Sequence, residues 1–77
     1  MFNKFPINFS FDGRSYHGLV KPLTTGAQNR KPTAFQIFVN NSYYGVIQRK
    51  GVQWETDSPK CAVMVDTIAD RIYDWYQ

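Results

Sequence analysis

Cysteine and histidine are almost absent from this chain of 77 residues, which has one of each, Cys61 and His17. A single cysteine cannot form an intrachain disulfide. A structural zinc site usually needs four nitrogen or sulfur ligands, so a site of that kind is excluded as well. We therefore expect no metal, and we expect no cofactor because the sequence has no glycine-rich phosphate-binding motif.

Long apolar segments are also missing. The longest unbroken apolar run is Cys61–Val65, whereas a helix that crosses a bilayer needs about 20 such residues. The segment from Met1 to Pro6 has no apolar stretch like that of a secretory signal. We therefore expect no membrane contact and a location in the reducing cytoplasm.

Charge is distributed unevenly, although the net charge is only +3. Residues 1–54 hold seven basic residues and one acidic residue, whereas residues 55–77 hold two basic and five acidic residues. The basic part favours an anionic partner. Since no more than two basic residues are adjacent, the alternative is a solvated surface whose two halves attract each other within the fold.

Aromatic residues make up 17% of the chain, and their spacing predicts the first hairpin. Every second residue of Phe5–Phe11 is aromatic or aliphatic, which is typical of a half-buried strand. Asp12 and Gly13 suit the positive φ angles of a tight turn. A second strand follows over about Ser15–Lys21, and we expect Pro22 to end it or to mark a sheet edge, because proline cannot donate to the ladder.

A second hairpin is predicted after a polar loop at residues 24–32. Its strands run over about Ala34–Val39 and Tyr43–Arg49. Asn40-Asn41 forms the turn between them, because asparagine tolerates the left-handed region. Residues Val52–Glu55 are a candidate for a short fifth strand.

An internal repeat supports two equivalent hairpins. Ser15–Val20 and Ser42–Ile47 both read Ser-Tyr-aromatic-Gly-apolar-apolar, and each follows an aromatic-rich strand and a turn. A glycine inside a strand usually marks a bulge or a close packing approach. We expect one of these features in each copy.

The last 20 residues change to helical spacing. Ser58 is a good N-cap, and Pro59 suits the first helical position. Apolar residues then recur three and four residues apart, as in an amphipathic helix: Ala62, Val65, Ile68, Ala69, Ile72, Trp75 and Tyr76. The sequence predicts one α+β domain of two layers. An antiparallel sheet of four strands, or five if the short one forms, is built from two consecutive hairpins, and one C-terminal amphipathic helix packs on one face.

Residues with catalytic potential are few. His17 corresponds to a tyrosine in the second repeat copy, which indicates a strand surface rather than a catalytic base. Cys61 falls near a helix start, where a thiol can be reactive, but we favour a small buried apolar residue. The acidic row on the helix is typical of a solvated face: Asp66, Asp70 and Asp74. Because no catalytic motif is present, we expect no enzyme activity.

Apolar residues on both faces of the predicted sheet favour an interaction module. One face would pack on the helix through Phe5, Ile7, Phe9, Phe11, Phe35, Ile37 and Val39. A single helix leaves the other face uncovered, and an exposed apolar face usually meets a partner. Our first hypothesis is a non-catalytic protein-interaction or assembly module, a homodimer or the binder of another protein. Its anchors would be Leu19, Phe38, Tyr44 and Val46.

The alternative hypothesis is a single-stranded nucleic-acid-binding protein. Such proteins combine a basic groove with aromatic residues on which bases stack. The candidate contacts are Arg14, Lys21, Arg30, Lys31, Tyr43, Arg49, Lys50 and Trp54. The modest net charge and the acidic helix weigh against this function.

Overall fold

The computed structural model describes residues 3–23 and 32–76, so the predicted loop at residues 24–32 lies almost wholly outside the described residues. Five strands form one antiparallel sheet in sequence order, curled into a half-barrel with the C-terminal helix packed against it. The predicted α+β fold is confirmed, including its fifth strand. The elements are β1 Phe5–Phe11, β2 Arg14–Leu23, β3 Ala34–Val39, β4 Ser42–Lys50, β5 Gln53–Thr56, α1 Pro59–Ala62 and α2 Val65–Trp75.

Two-residue turns close both predicted hairpins. The φ angles are 53° at Asp12 and 75° at Gly13, and 49° at Asn40 and 67° at Asn41. Positive φ at both central residues is the turn geometry whose twist matches the flanking strands. The turn residues therefore set the register that brings the two repeat copies into equivalent hairpins.

Each repeat glycine lies opposite an isoleucine of the preceding strand. Gly18 pairs with Ile7, and Gly45 pairs with Ile37. A Cβ atom on Gly18 would lie 2.9 Å from Ile7 Cγ1, so the glycine leaves room for the isoleucine in the core. The register of β3 against β4 shifts next to Ile37. One copy thus has the close approach and the other has the bulge, as the sequence predicts.

β2 does not end before Pro22 but continues to Leu23. Pro22 is buried and pairs with Phe35 in β3. The last described pair of β1 with β2 joins Phe5 to Val20. Beyond Val20 no strand among the described residues pairs with the β1 side of β2, so a proline nitrogen there costs no hydrogen bond of the described ladder.

The core lies between the concave inner face of the sheet and α2. Six of the seven residues predicted to face the helix are buried and form a hydrophobic core cluster with residues of α2. The seventh, Phe11, is partly buried against this core cluster. Phe5 stacks on Trp75 with ring centroids 4.5 Å apart and an interplanar angle of 3°. This stack attaches the end of α2 to the first strand. The buried hydrophobic residues of this core are Phe5, Ile7, Phe9, Val20, Ala34, Phe35, Ile37, Val39, Ile47, Cys61, Met64, Ile68, Ala69 and Ile72.

The C-terminal helix is interrupted between α1 and α2. Met64 N–H donates to the Cys61 carbonyl at 2.9 Å, which is a tighter turn than that of an α-helix. α1 contacts β4 and β5, whereas α2 contacts β1 and β5. The break therefore divides the helix between two parts of the curled sheet. It also leaves Ala62 exposed, so its predicted place in the apolar stripe is wrong.

Candidate interaction surface

An apolar stripe crosses the convex outer face of the sheet, opposite the helix. Leu19 pairs with Phe38, and Phe38 pairs with Tyr43 with ring centroids 5.2 Å apart. Val46 shares this face because it alternates with the buried Ile47. We call these four residues the outer stripe: Leu19, Phe38, Tyr43 and Val46. Tyr43 is 52% exposed, and the other three are half-buried.

Tyr44, a predicted anchor of this face, lies elsewhere. The bulge pairs Phe38 with Tyr43 and Ile37 with Gly45, so Tyr44 has no partner in β3. A bulge re-aims the extra side chain, and Tyr44 packs partly buried against the core cluster. Its place on the outer face is taken by Tyr43.

The bulge also joins β4 to the start of the helix. The Tyr44 carbonyl accepts a hydrogen bond from Ser58 Oγ and a longer one, at 3.3 Å, from Cys61 Sγ. Ser58 therefore holds the strand rather than capping the helix, since its side chain makes no cap hydrogen bond. Burial raises the pKa of the Cys61 thiol, and hydrogen bonds with Ser58 and Thr56 offset this rise only in part. A buried thiol with a raised pKa is a poor nucleophile.

A groove of about 690 Å³ adjoins the outer stripe. It runs from Tyr43 and Val46 to Pro59 and Lys60. The Lys60 ammonium lies 5.5 Å from the centroid of the Tyr44 ring, within the range of a cation–π contact. The stripe thus ends in a concave region lined by apolar residues and by charged side chains of both signs.

The residues predicted to bind nucleic acid do not share one surface. Lys21 and Lys50 lie on the outer face with Tyr43, and Lys50 forms an ion pair with Glu55 at 3.1 Å. The other three described residues have the register of the inner face: Arg14, Arg49 and Trp54. The remaining two, Arg30 and Lys31, lie outside the described residues.

A second pocket, of about 200 Å³, brings two of these residues together near the end of α2. Arg49 and Trp54 line it with Tyr73 and Tyr76. Burial raises the pKa of Tyr76, so this hydroxyl stays protonated up to a higher pH. Sequence reasoning missed Tyr73 because its position falls off the apolar stripe of the helix.

His17 is part of the outer face. Its Nδ1 lies 2.5 Å from Asn8 Oδ1 on the neighbouring strand. Its backbone N–H donates to Asn40 Oδ1 at 3.2 Å, and its carbonyl accepts from Asn40 N–H at 2.8 Å. Asn8 on the neighbouring strand and Asn40 in the turn thus hold His17 in place. Among the described residues, no carboxylate orients its ring.

Residues 3–23 and 32–76 show neither a cluster of metal ligands nor a helix suited to cross a membrane. No group of three or more His, Cys, Asp or Glu side chains there is placed to hold a metal ion. Neither helix in that part of the chain has the length and apolar character needed to cross a membrane. Asp66, Asp70 and Asp74 are exposed on α2, and Asp74 pairs with Arg71 at 3.4 Å. Comparison with protein-family models, curated proteins and solved structures gave no match.

Proposed function

We propose that this protein is a non-catalytic interaction module that self-associates through its outer stripe. The observation that carries the proposal is the position of Phe38, between Leu19 and Tyr43 on the face that the helix leaves uncovered. Apolar residues of this size on a sheet face gain free energy when a partner removes them from water. A second copy is the partner proposed, because two-fold pairing uses one patch twice.

The adjoining groove supports a protein partner. Aromatic anchors in pockets carry most of the energy of many interfaces. Tyr43 is exposed and lines the groove, so each of two copies can place this ring in the groove of the other. The stripe is bordered by polar residues such as His17 and Gln48, as is common at the rim of an interface.

Replacement of Phe38 by serine should weaken self-association. Loss of a central aromatic anchor costs about 2 kcal/mol or more, which corresponds to roughly a thirtyfold increase in Kd. Sedimentation equilibrium over micromolar concentrations measures this change. Val52→Ser is the matched control, because Val52 is 91% exposed in a turn away from the stripe. Equal dissociation constants for the two variants would contradict the proposed interface.

Single-stranded nucleic-acid binding is the second candidate function, and the pocket beside α2 favours it. Bases stack on aromatic side chains with about 1–3 kcal/mol each, and the pocket holds Trp54, Tyr73 and Tyr76 beside Arg49. The outer face offers less, because Glu55 pairs with Lys50. If this function holds, the contact site is this pocket rather than the outer face.

Arg49→Glu should therefore weaken binding of a labelled single-stranded oligonucleotide at least about tenfold at low salt, because it replaces a phosphate contact by a repelling charge. Lys50→Glu is the matched control, one residue away on the opposite face, and should have a smaller effect. Fluorescence anisotropy at low and physiological salt measures both. If the unsubstituted protein does not bind at low salt, nucleic-acid binding is wrong.

A further inference from the structure

The first strand is the longer edge of the sheet and carries no charged residue. β1 spans seven residues, Phe5–Phe11, whereas the opposite edge strand β5 spans four and contains Glu55. Folded proteins shield their edges with short strands, charges, prolines or bulges. On β1 the only such feature is Pro6, near one end. The rest of this edge offers its backbone for pairing.

The hydrogen bonds of His17 establish which backbone groups of β1 point outward. The N–H and the carbonyl of His17 both bond to Asn40, on the β3 side of β2. Its partner in β1, Asn8, therefore belongs to a pair without ladder hydrogen bonds. By the alternation of an antiparallel ladder, the backbone groups of Asn8 and Ser10 and the carbonyl of Pro6 point to the free edge.

These outward groups have no partner in the part of the chain that the structure describes. None of the backbone hydrogen bonds outside the ladders and helices involves Pro6, Asn8 or Ser10. All three residues are exposed. Each outward N–H and carbonyl is thus available to a strand of another chain.

We propose that β1 pairs antiparallel with β1 of a second copy, in a register centred on Asn8. The two Asn8 residues then exchange two backbone hydrogen bonds. Ser10 N–H of each copy donates to the Pro6 carbonyl of the other, which gives about four bonds in all. Ile7 lies across from Phe9 of the second copy, and the partly buried Phe11 lies across from Phe5.

Charge complementarity selects this register. Lys4 precedes β1 and Asp12 follows it, so antiparallel pairing about Asn8 places Lys4 of each copy across from Asp12 of the other. Opposite charges across a strand pair stabilise it, and like charges destabilise it. Parallel pairing would instead place Lys4 beside Lys4. The antiparallel pair has two-fold symmetry and closes on itself.

This contact uses a different surface from the outer stripe, so each can fail without the other. The two together form assemblies larger than a dimer, in which ten-stranded sheets meet through their outer faces. A protein with only one of the contacts stops at the dimer. The number of copies in the assembly therefore shows whether neither, one or both contacts form, and the Phe38→Ser variant shows which contact a dimer uses.

Asn8→Pro tests the edge contact, with Asn8→Ala as its matched control. Both variants lose the side-chain contact with His17, but only proline removes the N–H that points to the free edge. Sedimentation equilibrium should give a dimerisation Kd at least about tenfold higher for Asn8→Pro than for Asn8→Ala, because two hydrogen bonds are lost in each dimer. Both are measured in the Phe38→Ser background, which removes the outer-stripe contact.

Equal dissociation constants for Asn8→Pro and Asn8→Ala would overturn the edge contact and leave the outer stripe untouched. Conversely, an unchanged assembly in Phe38→Ser alone would overturn the outer stripe and leave the edge contact standing. Amide hydrogen exchange in the unsubstituted protein provides a second measurement that does not depend on the folding of a variant. The Asn8 and Ser10 amides should exchange at least about tenfold more slowly at high protein concentration than at low concentration, whereas the exposed Val52 amide should not change. Exchange of Asn8 and Ser10 that is independent of concentration would overturn the proposal.

Discussion

Substitution of Gly45 by alanine should lower the free energy of unfolding by about 2–6 kcal/mol, a large share of the roughly 4–12 kcal/mol expected for a domain of this length. Gly45 has a φ angle of 122°, which side chains rarely adopt, and such strain costs about 1–3 kcal/mol. A Cβ atom would also lie 2.5 Å from Ser58 Cβ, and overpacking of this kind costs about another 1–3 kcal/mol. The two costs add because one is local and the other is a contact with a distant segment.

Gly51→Ala separates these two causes. Gly51 also has a positive φ angle, 63°, but no atom lies within 4 Å of its added Cβ. Its substitution should therefore cost only about 1–2 kcal/mol, the usual penalty for the left-handed region. Urea unfolding of both variants measures the difference. Equal losses would mean that Ser58 moves away from Gly45 without cost.

The second large effect is expected for Phe5→Ala, which should destabilise the protein by about 3–5 kcal/mol. Phe5 is 1% exposed, stacks on Trp75 and meets Tyr76 edge to face at 5.7 Å. Its truncation leaves a cavity where β1 meets the end of α2. Because that junction attaches the helix to the first strand, the surrounding structure can collapse only in part.

Phe11→Ala is the matched control for Phe5→Ala. Phe11 is on the same strand and the same face, but it is only partly buried. Its loss should be less than half as large. Thermal and denaturant unfolding measure both variants. A Phe5→Ala variant as stable as Phe11→Ala would show that the stack does not anchor the helix.

Local patterns were enough to predict the two hairpins and the inner face. The alternation in Phe5–Phe11 and the turn pairs at Asp12 and Asn40 act over a few residues, so their consequences can be read from the sequence. The glycines of the repeat also predicted a bulge or a close approach. The second copy, with Gly45, has the bulge.

The outer face was harder to predict because its composition depends on where the bulge lies. One extra residue in β4 re-aims Tyr44 and leaves Tyr43 across from Phe38. The bulge is stabilised by Ser58, which is 14 residues from Tyr44 in the chain. No periodicity within β4 carries that information. The same local spacing assigned Arg49 and Lys50 to one surface, although neighbours in a strand point to opposite faces.

The break in the C-terminal helix also depends on tertiary packing. The spacing of apolar residues from Ala62 to Tyr76 fits one continuous helix. Cys61 must reach the Tyr44 carbonyl on β4, while Ile68 and Ile72 pack over the sheet. The curl of the sheet separates these two contacts, and the turn at Met64 accommodates the separation.

Sedimentation equilibrium of the unsubstituted protein, from low to high micromolar concentration, is the most direct test of self-association. We expect an average mass that rises with concentration above that of the 9.0 kDa monomer, and that falls when Phe38 is replaced by serine. A constant mass of 9.0 kDa over the whole range would contradict self-association through the outer stripe.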